Sequence, residues 1–206
     1  MKTLKIMISL ALVAFFAVHV HAQKITLEEG SLDFIQGIDE LNVEYDFSDF
    51  GVGKFATEAE YIEKKKNDYN EDEPGKGDDW EAEWHADKEN TYQRRFEELM
   101  NTVFLSKDAN IMTGPYTNAD YTLILKTTFL EPGFNIGISR KNASINVEAI
   151  FVETEAPENI VARISMAKVP GNGLFAGDFD AEMRIGEAYA KAGQSLATYL
   201  WKKVLR

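Results

Sequence analysis

Asp68, Asn70 and Asp72 alternate in the stretch "NDYNEDEPGKGDDW", and Asp79 closes it. Oxygen-bearing side chains spaced as positions 1, 3, 5 and 12 are the ligand pattern of a helix-flanked calcium loop. Position 6 of that loop needs glycine for its sharp turn, yet Glu73 stands there and Pro74 follows. Gly75 and Gly77 come too late. The plainer reading is a solvated link between two helices, with Asp78 and Glu81 capping the second. No metal is assigned. A calcium-dependent binding module with Asp68, Asn70, Asp72 and Asp79 as ligands remains an alternative function.

Other residue types could carry chemistry. Trp80 and Trp84 are one helical turn apart and could stack on sugars beside a pair of carboxylates. A small carboxylate-based glycan hydrolase is therefore a second alternative, although tryptophans at that spacing more often fill a core. In "PGNGLFAGD", Gly171, Gly173 and Ala176 match the weakest dinucleotide fingerprint. No strand follows it, and Asp178 and Asp180 stand where a pyrophosphate would sit. The stretch reads as a turn capped by an aspartate, and no cofactor is expected. Ser195 in "GQSLA" lies inside a helical pattern rather than at a strand-to-helix elbow, with Ala197 at the last glycine position and only His85 as a partner base. It is discounted, and no catalytic residue is assigned. Arg140 and Lys141 form a basic pair in an acidic chain, on a long connection between strands. Such connections often carry binding groups, so this pair is the first choice of contact surface.

These residues need elements to hold them. "LNVEYDF" at 41–47 alternates as a strand, with "KITLEE" and "SLDFI" as shorter extended pieces before it. "FATEAEYIEKKKNDY" reads as a helix whose Thr57 and Glu60 form a capping box. A second helix begins after Asp78 and reaches Leu105. A loop, "SKDANIMTGPYTNAD", leads to the strand "YTLILKTTFL". "EPGFNIGISRK" is a glycine-punctuated connection. "ASINVEAIFVE" and "IVARISMAKV" form a hairpin through "TEAPEN". The last helix starts near Ala181, with an apolar stripe of Ile185, Tyr189, Ala192, Leu196 and Tyr199. Gly186, Ala190, Gly193 and Ala197 make a row of small residues, expected to lie tight on the sheet. The fold class that follows is α+β: a two-layer sandwich, mainly antiparallel, covered by three helices with a long C-terminal one.

Residues 1–22 read as a signal peptide. Lys2 and Lys5 precede the apolar run "IMISLALVAFFAV", and Val20 and Ala22 offer small residues for cleavage. The product is expected in the periplasm or outside the cell, as one α+β domain over residues 23–206. No later apolar run is long enough to span a bilayer. Losing Lys2 and Lys5 turns the formal net charge of −12 into −14. Such a surface repels phosphate backbones and anionic lipid heads, which argues against nucleic acid and against peripheral membrane binding through charge. The chain has no cysteine and three histidines, two of them, His19 and His21, in the leader. Thiol catalysis and multi-histidine zinc sites are excluded.

The segments "VGKFATEAEYIEKKKNDYNEDEPGKGDDW", "LILKTTFLEPGFNIGISRKNASINVEAIFVET" and "AKVPGNG" resemble a family of uncharacterised exported proteins of Gram-negative bacteria. The resemblance covers most of the chain after the leader and implies no activity and no site residues. More loosely, the strand–helix–three-strand–helix order is similar to small envelope domains, often lipoproteins, that assist transport or assembly. This chain lacks their anchoring cysteine. The leading expectation is a non-catalytic envelope protein that binds another protein or an envelope component.

Overall fold

The structure, a computed structural model, describes residues 23–136, 138–171 and 180–206. The signal-peptide reading of residues 1–22 and most of the glycine-rich stretch, from Asn172 to Asp178, lie outside the described residues.

The strands are β1 (Lys24–Gly30), β2 (Glu40–Asp46), β3 (Gly51–Val52), β4 (Met112–Gly114), β5 (Tyr121–Glu131), β6 (Phe134–Asn135), β7 (Arg140–Lys141), β8 (Ala143–Glu153) and β9 (Ala156–Gly171). The helices are α1 (Glu58–Asp72), α2 (Lys76–Asp87), α3 (Arg94–Ser106) and α4 (Ala181–Leu200). A π-helical turn, Lys88–Gln93, joins α2 to α3 in one continuous run, and another, Trp201–Leu205, extends α4. Three helical bodies therefore cover the sheet, as expected.

The main sheet runs β1-β9-β8-β5-β2-β4, with β3 also beside β5. The β1, β9, β8 and β5 pairings are antiparallel. β2 is parallel to both β5 and β4, and β3 is parallel to β5. The helices that separate β2 from β4 and β5 in the chain supply the crossover that parallel pairing requires. β6 and β7 form a separate two-stranded sheet.

β8 sets the two faces. Ala143, Ile145, Val147, Ala149 and Phe151 are buried against the helices. Each large aliphatic or aromatic side chain so buried contributes about 1.5–3 kcal/mol. The other face is half-buried and carries charge instead. Arg163 on β9 spans Glu29 on β1 and Glu148 on β8, each at 3.0 Å, and Lys126 pairs with Asp46 at 3.6 Å. This ladder of ion pairs screens the open face from bare apolar contact.

α4 is fixed at its start by Asp180, whose Oδ1 accepts the Glu182 N–H at 3.0 Å. Its stripe residues Ile185, Tyr189, Ala192 and Leu196 are buried, and the Tyr189 hydroxyl meets that of Thr127 on β5 at 2.7 Å. The row of small residues does not lie on the sheet as the sequence predicts. A Cβ at Gly193 would stand 2.1 Å from the Phe96 carbonyl oxygen, and one at Gly186 would stand 2.8 Å from Thr91 Cγ2. The glycines face the π turn and α3, so they set a helix–helix approach. Helical periodicity defines the face but not which neighbour comes to it.

Three further expectations are corrected. "SLDFI" is not extended: Asp33–Gly37 is a 3-10 turn, started by the Asp33 N–H donating to Ser31 Oγ at 3.2 Å. "SKDANIMTGPYTNAD" contains β4, a strand defined only by its pairing with β2. α2 begins at Lys76, before Asp78, with Gly75 at φ +92° preceding it.

Candidate functional site

The segment "EPGFNIGISRK" is an arm. It leaves β5 through Pro132 and Gly133, runs out as β6 and returns as β7 into β8. Gly133 has φ +65°, and a Cβ there would stand 2.3 Å from the Lys141 carbonyl oxygen. The root needs glycine on both counts. The Glu131 carboxylate ties the two sides of the root together: Oε1 accepts the Gly133 N–H at 3.0 Å and Oε2 accepts the Lys141 ammonium. From behind, the buried Arg184 on α4 donates its Nε–H to the Pro132 carbonyl at 3.2 Å. At the far end, the Ile136 N–H donates to the Ser139 carbonyl at 3.0 Å and closes the turn.

Arg140 and Lys141 are both exposed on β7. The structure brings them together in sequence only, because consecutive strand residues point to opposite faces. Sequence reasoning missed the arm's other feature. Phe134, Ile136 and Ile138 are 42%, 68% and 99% exposed, rising toward the turn. Their two-residue spacing was the available signal. Among the described residues these are large apolar side chains held outward from a pinned root, a candidate contact surface.

The calcium candidates are placed apart. Asp68, Asn70 and Asp72 lie on α1, not on a loop. Steps of two on a helix turn about 200°, so successive side chains leave in nearly opposite directions. Asp68 pairs with Lys64. Asn70 Oδ1 accepts the N–H groups of Gly75 and Gly77 at 3.1 and 2.8 Å, which caps the start of α2 from the preceding helix. Asp79 is in the first turn of α2. Among the described residues, no three histidine or acidic side chains are grouped to hold a metal. Asp78 and Glu81 do not form the expected capping pair. Both bind the Lys66 ammonium of α1, at 2.8 and 2.7 Å, and raise its pKa above the ordinary value.

Trp84 is buried, and its Nε1–H donates to Glu58 Oε1 at 2.6 Å. Trp80 is half-buried between Tyr69 and Trp84, with ring centroids 5.8 and 5.6 Å away. Tyr61 packs on both tryptophans. The pair is the core of the α1–α2 hairpin, and His85 beside it is exposed. Ser195 sits within α4 and donates to Gln23 Oε1 at 3.1 Å. A Cβ at Gly171 would meet the Arg184 carbonyl oxygen at 2.0 Å, so this glycine serves the approach of β9 to α4.

Two carboxyls are tuned toward neutrality: burial raises Glu97, which accepts the Tyr45 hydroxyl at 2.9 Å, and shifts Asp87 further. Burial, reinforced by Glu182, Asp180 and Glu83, pushes Asp87 up to about 6. The nearby Tyr92 ring stacks on Tyr189 at 5.1 Å, and its buried hydroxyl has no hydrogen-bond partner among the described residues. A glycosidase needs a second carboxylate facing such an acid across a cleft. The grooves on the described surface include four. One of about 500 Å³ is lined by Asp120, Tyr121, Glu153 and Glu155 among others, and one of about 380 Å³ adjoins it at Asn118–Asp120. One of about 380 Å³ lies between Arg95 and Glu187, and one of about 270 Å³ lies beside Ser195 and Tyr199. Asp87 lines none of these four.

No protein-family model matches the chain, and no curated protein matches it. Among solved structures it is similar to the PelC dodecamer from Paraburkholderia phytofirmans. The identity is 12% and the TM-score 0.39, over 85% of this chain and 98% of that one.

Proposed function

We propose that this chain is an exported, non-catalytic envelope protein that binds another protein or an envelope component through the β6–β7 arm. The observation that carries the reading is the outward display of Phe134, Ile136 and Ile138 on a root pinned by Glu131 and Arg184. An arm already ordered loses little conformational freedom on binding, which favours recognition over an induced lid. The leader-like sequence at residues 1–22 and the resemblance to exported Gram-negative proteins support a periplasmic or secreted location. Among the described residues no helix is long and apolar enough to cross a membrane.

Two experiments test this. N-terminal sequencing of the protein from its producing cells is expected to begin at Gln23; a retained leader would contradict export. A photo-crosslinking residue at Ile136 is expected to capture envelope material in intact cells, while the same residue at Glu63 on α1 captures none. Equal labelling from both positions would overturn the arm as the contact surface.

A further inference from the structure

The outer side of α4 carries a second surface, which shares no residue with the arm. Lys191, Ser195, Thr198 and Lys202 follow at steps of four, three and four, so they stand in a row along α4 and its extension. The groove of about 270 Å³ lies on that row, with Ile25 of β1 and Tyr199 as its apolar walls. It shares Lys191 and Gln194 with the groove of about 380 Å³ beside Arg95, so the two make one trough. We infer that this trough binds an acidic oligosaccharide, a short chain of uronic acid sugars, through its carboxylates and its hydroxyls together.

The carboxylates are met by lysines. Lys191 and Lys202 are exposed, and among the described residues neither has an acidic partner. Lys64, Lys66, Lys88, Lys126 and Lys141 each have one. The Lys191 ammonium donates to Gln194 Oε1 at 2.7 Å, which occupies one of its three hydrogens and leaves its charge uncompensated. A third ammonium, that of Lys203, stands 5.5 Å from the centre of the Tyr199 ring. In a chain of net charge −12 this row is a local reversal of sign. The eleven steps from Lys191 to Lys202 span roughly 16 Å of helix. Such a span calls for an oligomer rather than a single sugar.

The hydroxyls select the class of anion. Ser195 commits its hydrogen to Gln23 Oε1 at 3.1 Å, and Thr198 commits its own to the Gln194 carbonyl at 2.7 Å. Both oxygens are left as acceptors. A sugar hydroxyl can donate to them. An ionised acidic side chain or a lipid phosphate has no hydrogen to give. The ligand that satisfies both rows of groups carries carboxylates for the lysines and hydroxyls for Ser195 and Thr198. Binding without cleavage is expected. A glycosidase needs two facing carboxylates, and Glu187, the acid lining the trough, is bound to Arg95.

The test is equilibrium dialysis of the purified protein against hexagalacturonate, a neutral galactose oligosaccharide of equal length, and a hexaglutamate peptide. Hexagalacturonate is expected to bind, with an affinity that falls as salt rises. The other two are each expected to bind at least about tenfold more weakly. A Lys191→Gln/Lys202→Gln variant is expected to lose at least about tenfold for hexagalacturonate, with its melting temperature unchanged. Thr198→Val keeps the shape and removes one acceptor, so it is expected to weaken hexagalacturonate severalfold and leave the peptide unaffected. No binding of hexagalacturonate, or full affinity in the lysine variant, overturns the site. Equal binding of the peptide overturns the sugar assignment in favour of an acidic protein partner. Equal binding of the neutral oligosaccharide overturns the part given to the lysines. Crosslinking from Ile136 reads the arm independently of all these outcomes.

Discussion

β8 and β9 form one hairpin of this molecule, and β6 and β7 form another. Both are antiparallel, and both place apolar side chains at every second position. In the long hairpin, Ile145, Val147, Ala149 and Phe151 are buried beneath α4. In the short one, Phe134, Ile136 and Ile138 are exposed. The difference lies in what packs on each. Alternation makes a face, and a second layer must cover it. The long hairpin finds that layer within the chain. The short hairpin leaves the sheet at Gly133, where the described residues supply none.

The largest test of this contrast is a pair of truncations. Phe151→Ala is expected to cost about 3–5 kcal/mol, because it opens a cavity among buried rings and aliphatics. For a chain of this length the melting temperature falls by about 10 °C. Ile138→Ala is expected to stay within about 0.5 kcal/mol of the parent. Comparable losses at the two positions would mean that the arm is packed against the body.

Next in size is the cover itself. Gly193→Ala places a methyl against the Phe96 carbonyl and is expected to cost about 1–3 kcal/mol by forcing α4 from α3. Gly186→Ala meets the Thr91 methyl at 2.8 Å, a side chain held by its hydroxyl's bond to Glu182, rather than backbone. Its cost is offset by the better helix propensity of alanine, about 1 kcal/mol. Thermal unfolding of the two variants should separate them, and a stable Gly193→Ala protein would contradict the close helix contact.

A smaller lever is pH. Asp87 lies close to Asp180 and Glu182 at the start of α4, the helix over the long hairpin. Its folded pKa of about 6 is above the ordinary 3.8. Between those values the folded state holds a proton that the unfolded state has lost. Stability therefore falls as pH rises through that window, and the cost persists above it. Asp87→Asn is expected to raise the melting temperature at pH 7 and to leave it unchanged below pH 4. An equal effect at both pH values would contradict the titration. The arm has no share in this dependence.

The smallest expected effect is at the arm root. Glu131→Gln weakens a partly exposed ion pair, worth at most about 1 kcal/mol. Melting is expected to stay the same, while hydrogen exchange at Asn135 and Lys141 accelerates several-fold. Unchanged exchange would mean that Glu131 does not hold the root.

The contrast also explains what could be read from the chain. The period of two in "ASINVEAIFVE" and of 3.6 in α4 expresses one buried face each, and both elements stand where expected. β4 has three residues and no pattern of its own, so only its pairing with β2 reveals it. The start of α2 lies ahead of the one the sequence predicts because its cap, Asn70, comes from the helix before it. The basic pair Arg140 and Lys141 was legible as an exposed connection. Their separation onto two faces was not, because it depends on the short register of the arm. Phe134, Ile136 and Ile138 make no legible stripe because the run is short and interrupted by glycine and polar residues.

Hydrogen exchange with and without envelope membranes from the producing cells tests the central claim most directly. The account predicts that amides of β6, β7 and the turn between them slow when membranes are added, while those of β8 and β9 keep the same rates. Identical exchange in the arm under both conditions, or protection appearing on the α1–α2 hairpin instead, would contradict it.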